Sequence, residues 1–460
     1  MLPVLTAEEM RAADAAALST VSHETLVGRA GTAAGLAALR LLGGAYGRRV
    51  TVIAGKGSNG ADGRVAAALL ARRGARVTVI AAADAPAALP RCDLVIDAAY
   101  GTGFHGSYDG PAVPPGVPVL SVDIASGVDA DTGAAPGAPF RATDTVTFAA
   151  YKPGLLQGAG FGCSGAVQVV DIGVALPASR AALIEDADVA ANVPPRPRQS
   201  HKWSTALGIA SGSVGMEGSA ILSTSGAMAA GAGMIRLGNP GNPSAAWPTE
   251  AVRMHLDGPR WADAFLSATE KCRAVVIGPG LGTDATTQEE IRAVIARAPH
   301  PLVIDADAIT ALGDASAARE LLAQRRDPTV LTPHDGEFAR VAGSAPGDDR
   351  LAAARQLASR IGAVVLLKGP LTAVAAPQEG YPDVLLASAG VPALATAGTG
   401  DVLSGVIGAF LARGVPVHLA AALGAHVHGR AAARGRPEGL VAGDLPDLIA
   451  AWLSEDGHHG

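Results

Sequence analysis

The stretch Pro392-Ala393-Leu394-Ala395-Thr396-Ala397-Gly398-Thr399-Gly400-Asp401-Val402-Leu403-Ser404-Gly405 decides how the second half of the chain is read. Its small residues leave consecutive backbone N–H groups uncovered, and an apolar run to Leu411 follows with the composition of a buried helix. Free N–H groups and the positive end of the helix dipole then meet at one point, which is how proteins hold phosphate. Asp401 stands where that helix begins. By itself it would read as an N-cap; behind Gly398, Thr399 and Gly400 it reads as the reactive carboxylate of a nucleotide-using α/β domain.

Working outward, short β-branched runs alternate with Ala-rich helical stretches. Ala274 to Ile277, Leu302 to Ile304, Thr329 to Leu331 and Val364 to Leu367 form one series. Val50 to Ile53, Val77 to Ile80, Leu94 to Ile96, Val117 to Val122 and Thr145 to Phe148 form an earlier one. Such alternation predicts mostly parallel sheets covered by helices on both faces. The Pro-rich segment Asn192 to Arg198 cannot continue a helix or a central strand, so two tandem α/β domains are expected, 1–195 and 196–460. At the amino end Thr6 and Glu9 have capping-box spacing ahead of an Ala-rich helix.

Unusual polar residues gather just after the apolar runs: Asp97, Asp123, Asp305, His334 and Lys368. Each is compatible with a turn or a helix cap, but open parallel sheets bind ligands at the carboxyl ends of their strands. A net charge of -6 and a pI near 6.0 supply no basic field for nucleic acid or anionic lipid. The uncharged stretch Gly218 to Ile235 is Gly/Ala/Ser-rich and reads as a buried helix, not a membrane span. Cys92, Cys163 and Cys272 make no Cys-x-x-Cys pair and suggest neither a disulfide framework nor a zinc site. Met1 to Met10 lacks a basic start, so a cytoplasmic protein without nucleic-acid or membrane partners is expected.

In the first domain, Val50 to Ala54 runs into Gly55-Lys56-Gly57-Ser58-Asn59-Gly60-Ala61-Asp62-Gly63. The glycines match dinucleotide-fingerprint spacing, a weak signal alone. Joined by Asp97 with Gly101-Thr102-Gly103-Phe104, by Asp123-Ile124-Ala125-Ser126-Gly127 and by Tyr151-Lys152-Pro153-Gly154, the segment resembles the NAD(P)H-hydrate epimerase family over roughly Leu5 to Leu176. That resemblance implies a Rossmann-like three-layer sandwich. It implies a K+ ion held by Asn59, Asp97 and Ser126. Ser58, Asn59, Gly60, Ala61 and Asp62, with Gly101, Thr102, Gly103, Phe104, His105, Gly106, Ser107 and Asp123, are expected to line the substrate. Asp123 is the expected catalytic acid/base, provided its pocket raises its pKa toward the working pH. Ser58, Ala61 and Ala125 stand where the family commonly has asparagine, glycine and proline, and Ala61 matters if that backbone needs a positive φ.

The second domain carries Gly278-Pro279-Gly280-Leu281-Gly282, Thr332-Pro333-His334-Asp335-Gly336-Glu337-Phe338 and Lys368-Gly369-Pro370-Leu371-Thr372 besides the Asp401 segment. From about Ser200 to Asp444 it resembles the ribokinase-like superfamily and, within it, the ADP-dependent NAD(P)H-hydrate dehydratases. The resemblance implies an enzyme that is both lyase and isomerase, repairing NADH-hydrate and NADPH-hydrate with ADP as phosphoryl donor and Mg2+ as its companion. Ser219, Gly280, His334 and the catalytic Asp401 are expected on the hydrate. Lys368, Gly369, Pro370, Leu371, Thr372, Gly398, Thr399 and Gly400 are expected on the adenine nucleotide, and a homo-oligomer is expected. The other reading is a ribokinase-like small-molecule kinase fused to a non-catalytic dinucleotide-binding module.

Overall fold

The computed structural model describes residues 1–240, 247–256, 258–378, 380 and 382–455. His458 and His459, read from sequence as part of a polar tail, lie outside the described residues. The chain divides into two compact units, one over Leu2–Arg180 and the other from Ala181 onward.

The first unit is built on a wholly parallel sheet of β1 (Arg49–Ala54), β2 (Arg76–Ala81), β3 (Leu94–Ala98), β4 (Val119–Val122), β5 (Asp144–Phe148) and β6 (Ala166–Val170). In space the order is β2-β1-β3-β4-β5-β6. The order reverses between β1 and β3, which opens the crevice where doubly wound sheets take their ligands. Helices α1 (Ala7–Ala17), α2 (His23–Leu42) and α3 (Ser58–Arg72) cover it. The Thr6/Glu9 capping box is present: Thr6 Oγ1 accepts from Glu9 N–H at 3.2 Å, and Glu9 Oε2 accepts from Thr6 N–H at 2.8 Å. Gly60 lets α3 press on the β1 exit, since a Cβ there would lie 2.0 Å from the Gly55 carbonyl oxygen. Ala61 sits inside α3 and not at a positive φ, so its alanine imposes no strain.

The second unit carries β7 (Ala181–Leu183), β8 (Ala206–Ala210), β9 (Met234–Gly238), β10 (Val252–Met254), β11 (Ala274–Ile277), β12 (Leu302–Ile304), β13 (Thr329–Leu331), β14 (Val364–Leu367), β15 (Thr372–Ala375) and β16 (Val384–Ala387). They lie in the order β7-β16-β15-β14-β13-β12-β11-β8-β9-β10, parallel except for β15, which runs antiparallel to both its neighbours. The central strands are fully buried, as their unbroken apolar sequences require. The expected boundary at Pro195 is therefore displaced. β7 pairs with β16, and the helix Asp186–Asn192 is tied to the helix Val417–Ala432 by Asp186, which accepts from Arg430 at 2.6 Å and bonds His426 Nε2 at 2.7 Å. The prolines do end the Asp186–Asn192 helix, but they do so inside the second unit.

The uncharged stretch Gly218 to Ile235 is only partly helical: the helix Glu217–Ala229 gives way to β9 at Met234. Among the described residues, no helix is long and apolar enough to cross a membrane. Cys92, Cys163 and Cys272 are free and buried.

Candidate functional sites

In the first unit a pocket of about 890 Å³ opens at the carboxyl ends of β1 and β3. Its wall takes in Ser58, Asn59, Asp62, Asp123, the loop Gly101 to His105, and Lys152. Ser58 Oγ meets His23 Nε2 at 3.1 Å. Gly101 packs closely on the site: a Cβ there would come within 3.1 Å of Asp123 Oδ2 and 3.3 Å of Asn59 Cγ, so any side chain would push on both. Gly60 and Ala61 stay within α3, and Gly106 and Ser107 fall past the pocket wall, where Ser107 backs onto Gly137. Those four expected residues are not on the lining.

Asp97, at the end of β3, is fully buried and its carboxylate is surrounded by donors. Oδ2 accepts from Ser126 N–H at 2.8 Å and Ser121 Oγ at 3.1 Å, and Oδ1 accepts from Ser126 Oγ. Burial lifts its pKa to about 6 against those hydrogen bonds. Asn59 is buried, and neither atom of its carboxamide has a hydrogen-bond partner among the described residues. A carboxylate, a hydroxyl and an open carboxamide oxygen make an all-oxygen donor set that suits a hard cation.

Asp123 departs from expectation. Burial alone would raise its pKa, but the Lys152 charge, with hydrogen bonds from Lys152 and Thr102, holds it below the usual carboxylate range. The condition for its acid/base role, a raised pKa, is not met. Lys152 is completely buried and donates to Asp123 Oδ1 at 2.7 Å, Thr147 Oγ1 at 2.7 Å and the Phe148 carbonyl at 3.0 Å. Asp123 also adopts φ 69, a region that non-glycine residues occupy only under constraint. The family-like Tyr-Lys-Pro-Gly segment was the only sequence signal for Lys152, and it gave no partner.

In the second unit Asp401 lies in the first turn of the helix Thr399–Ala412, whose N-cap, Gly398, has φ 88. The turn needs glycine for its conformation, and a Cβ at Gly398 would also displace the Leu222 Cδ1 methyl, 2.5 Å away. Burial lifts the Asp401 pKa to about 6; a hydrogen bond from Ser219 and the charge of Lys368 lower it, while Asp305 and Asp307 raise it. Gly280, at φ 63, brings the β11 exit against Ser219, since a Cβ there would lie 2.9 Å from Ser219 Cβ. Ser219, Gly280 and Asp401 are thus brought together.

Lys368 Nζ donates to Asp305 Oδ1 at 2.7 Å and stands 3.3 Å from where a Gly400 Cβ would be. Asp305 is buried and accepts on its other oxygen from Ser404 Oγ at 2.5 Å. Ala306, at φ 49, turns the chain so that the next carboxylate, Asp307, accepts from Gly282 N–H at 2.8 Å. His334 caps the helix Asp335–Ala342: its Nδ1 accepts from Gly336 N–H at 3.0 Å. That bond fixes the neutral tautomer with hydrogen on Nε2, on a ring that is 62 % exposed. The neighbouring Glu337 is pushed above its ordinary pKa by burial. Gly369 and Pro370 lie in the β14–β15 connection and Thr372 opens β15, but the Leu371 side chain is buried. Asp305, Ser404 and Glu337 are the members that motif reading left unassigned. Asp305 carried a signal in its place at a strand end, while Ser404 and Glu337 stand inside the family-like segments without a residue-level role.

Fold and sites together define a class: a ribokinase-like α/β domain with a carboxylate at a glycine-rich helix start, preceded by a Rossmann-like domain with a pocket at its strand-order reversal. The comparisons narrow it. Residues 207–454 match the NAD(P)H-hydrate dehydratase family model, and residues 23–90 and 82–154 match that of the YjeF-related protein N-terminus. The bifunctional NAD(P)H-hydrate repair enzyme of Mycobacterium leprae is 39% identical, over 97% of this chain and 96% of its own. That of Escherichia coli is 33% identical over 90% and 87%. The crystal structure of ADP/ATP-dependent NAD(P)H-hydrate dehydratase from Bacillus subtilis, co-crystallized with ATP/Mg2+, is 29% identical with a TM-score of 0.51, covering 59% of this chain and 97% of that one. The chain belongs to the family of bifunctional NAD(P)H-hydrate repair enzymes. The kinase alternative is not what these matches support.

Proposed function

We propose that the first unit interconverts the R and S forms of NADH-hydrate and NADPH-hydrate, and that the second removes water from the S form with ADP as phosphoryl donor, releasing AMP and phosphate. The observation that carries this reading is the placement of Asp401, a half-buried carboxylate at a Gly398–Gly400 turn beside Lys368. Asp401 takes the proton of the hydrate's hydroxyl, and the oxygen attacks the terminal phosphorus of the nucleotide. N–H groups of Gly398 to Gly400 and the Lys368 ammonium neutralise charge on the transferring group. The phosphorylated oxygen then leaves as phosphate, and loss of a ring proton restores the dihydronicotinamide.

In this reading Ser219, Gly280 and His334 hold the hydrate, with His334 offering Nε2–H. Lys368 to Thr372, Thr399 and Gly400 hold the nucleotide, Leu371 through its backbone. Magnesium would supply charge neutralisation on the phosphates, and no protein ligand set is assigned to it. Potassium, held by Asn59, Asp97 and Ser126, would order the first pocket; the open Asn59 carboxamide is the feature that fits it. One assay tests the whole: purified protein is given mixed R and S hydrates with and without ADP. Complete ADP-dependent conversion to NAD(P)H is expected. Consumption of only the S form would remove the epimerase assignment, and no ADP-dependent loss of either form would remove the dehydratase.

A further inference from the structure

Two of the aspartates that line the first pocket, Asp123 and Asp62, are in opposite situations. Asp123 Oδ1 accepts from Lys152 Nζ at 2.7 Å and Thr147 Oγ1 at 3.2 Å, and Oδ2 accepts from Thr102 N–H at 3.0 Å and Thr102 Oγ1. A carboxylate offers about four lone-pair positions, and the protein itself engages that many. Asp62 lines the same pocket at 6% exposure, and its Oδ1 has no hydrogen-bond partner among the described residues. A buried polar atom left open loses its hydration without compensation, and a bound ligand restores a partner.

We propose that Asp62 is the proton-transfer residue of this pocket, acting on the hydrated ring as a neutral carboxylic acid, and that the Asp123–Lys152 pair is a positioning element. The proposal rests on the epimerase reading and adds the group that performs it.

The chemistry follows from the substrate. A dihydronicotinamide is an enamine, so acid-catalysed hydration places the hydroxyl on the carbon beside the ring nitrogen. Such a carbinolamine loses its configuration when the carbon–nitrogen bond opens. One oxygen of the Asp62 acid takes the hydroxyl proton, and the O–H electrons form the carbonyl. The C–N electron pair stays on nitrogen, which receives the proton carried by the other Asp62 oxygen. The open aldehyde turns about its adjacent C–C bond and the steps reverse on the other face. Asp62 ends as it began, with one proton, and no charge is created in a buried site.

The surroundings keep that proton in place. Asp62 is on α3; facing the pocket are Arg11 and Asp14 from α1, His23 from α2, Lys56 and Arg64 from its own loop and helix, Tyr100 and His105 from the loop after β3, and Asp123 and Lys152 from the strand ends. Of the cations, Lys152 is committed to Asp123, and Arg64 donates to the Gly55 carbonyl at 3.0 Å. Burial first, then the charges of Asp123 and Asp14, push the Asp62 pKa up to about 8. Groups whose environments drive their pKa values apart mark the division of acid–base labour in a site.

The test uses the full chain and R-hydrate without ADP, following R-to-S conversion by chromatography. Asp62→Asn is expected to lower kcat for epimerisation by about 10²–10⁴-fold, the usual reach of a general acid–base group, with KM changed only a few-fold. Asp62→Glu should restore part of the rate. In the parent protein kcat should fall as pH rises through about 8, where Asp62 loses its proton, and the residual Asp62→Asn rate should lose that limb. ADP-dependent dehydration of S-hydrate and the thermal midpoint should match the parent, which excludes misfolding. Full epimerase activity in Asp62→Asn, or a loss confined to KM, would overturn the proposal. A parent chain that does not epimerise at all would instead overturn the reading on which it rests.

Discussion

Asp401 illustrates how a residue's surroundings define its task. With a pKa near 6 it is mostly ionised at pH 7 and ready to accept a proton. Asp401→Asn is expected to cut dehydration by roughly 10²–10⁴-fold while ADP still binds, as titration calorimetry would show; normal turnover would end the assignment. Because the proposed base acts ionised, kcat for dehydration should decline as pH falls through about 6, measured on S-hydrate alone. The sign for stability is the reverse of a salt bridge: a folded pKa above the unfolded value makes ionisation a cost at neutral pH. Asp401→Asn should therefore melt no lower than the parent. The placement of Asp401 in the first turn of a helix was legible from its neighbours, because glycine-rich helix starts are local in sequence. The Asp123–Lys152 pair was not, since it joins the ends of two paired strands and inverts the pKa expected for Asp123.

At the level of elements, close approach of α3 to β1 depends on the missing side chain of Gly60. Gly60→Ala would drive a methyl group into the Gly55 carbonyl, and overpacking of this kind costs about 1–3 kcal/mol or more. The expected result is lost epimerisation with dehydration retained, read from the two activities of one preparation. Strands with continuous Val/Ile/Leu runs, such as Ala274–Ile277 and Val364–Leu367, had bounds that could be read directly. Ala206–Ala210, Met234–Gly238 and Thr372–Ala375 escaped, because alanine, glycine and a single charge dilute the β-branched signal that betrays a buried strand. Tertiary pairing, not propensity, makes them strands. Ala306 carries no signal at all, although its turn sets the direction of both adjoining aspartates.

For the whole molecule, the place where the second unit begins has a practical reading. A fragment starting at Arg196 would discard β7 and the Asp186–Asn192 helix, exposing the β16 edge and deleting the buried side chains of Leu183, Ile184, Val189 and Val193 from the core. At roughly 1.5–3 kcal/mol for each large aliphatic side chain removed from the core, that fragment should be markedly less stable than one starting before Ala181. Thermal unfolding of the two fragments side by side would decide, and equal midpoints would refute the boundary. The buried cysteines carry a different consequence. Burial raises the pKa of Cys92 and Cys163, and that of Cys272 to about 11, so the thiolate that oxidants attack is scarce in all three. Peroxide and alkylating agents should therefore leave all three thiols of the folded chain unmodified, as mass spectrometry of the cysteine peptides would show.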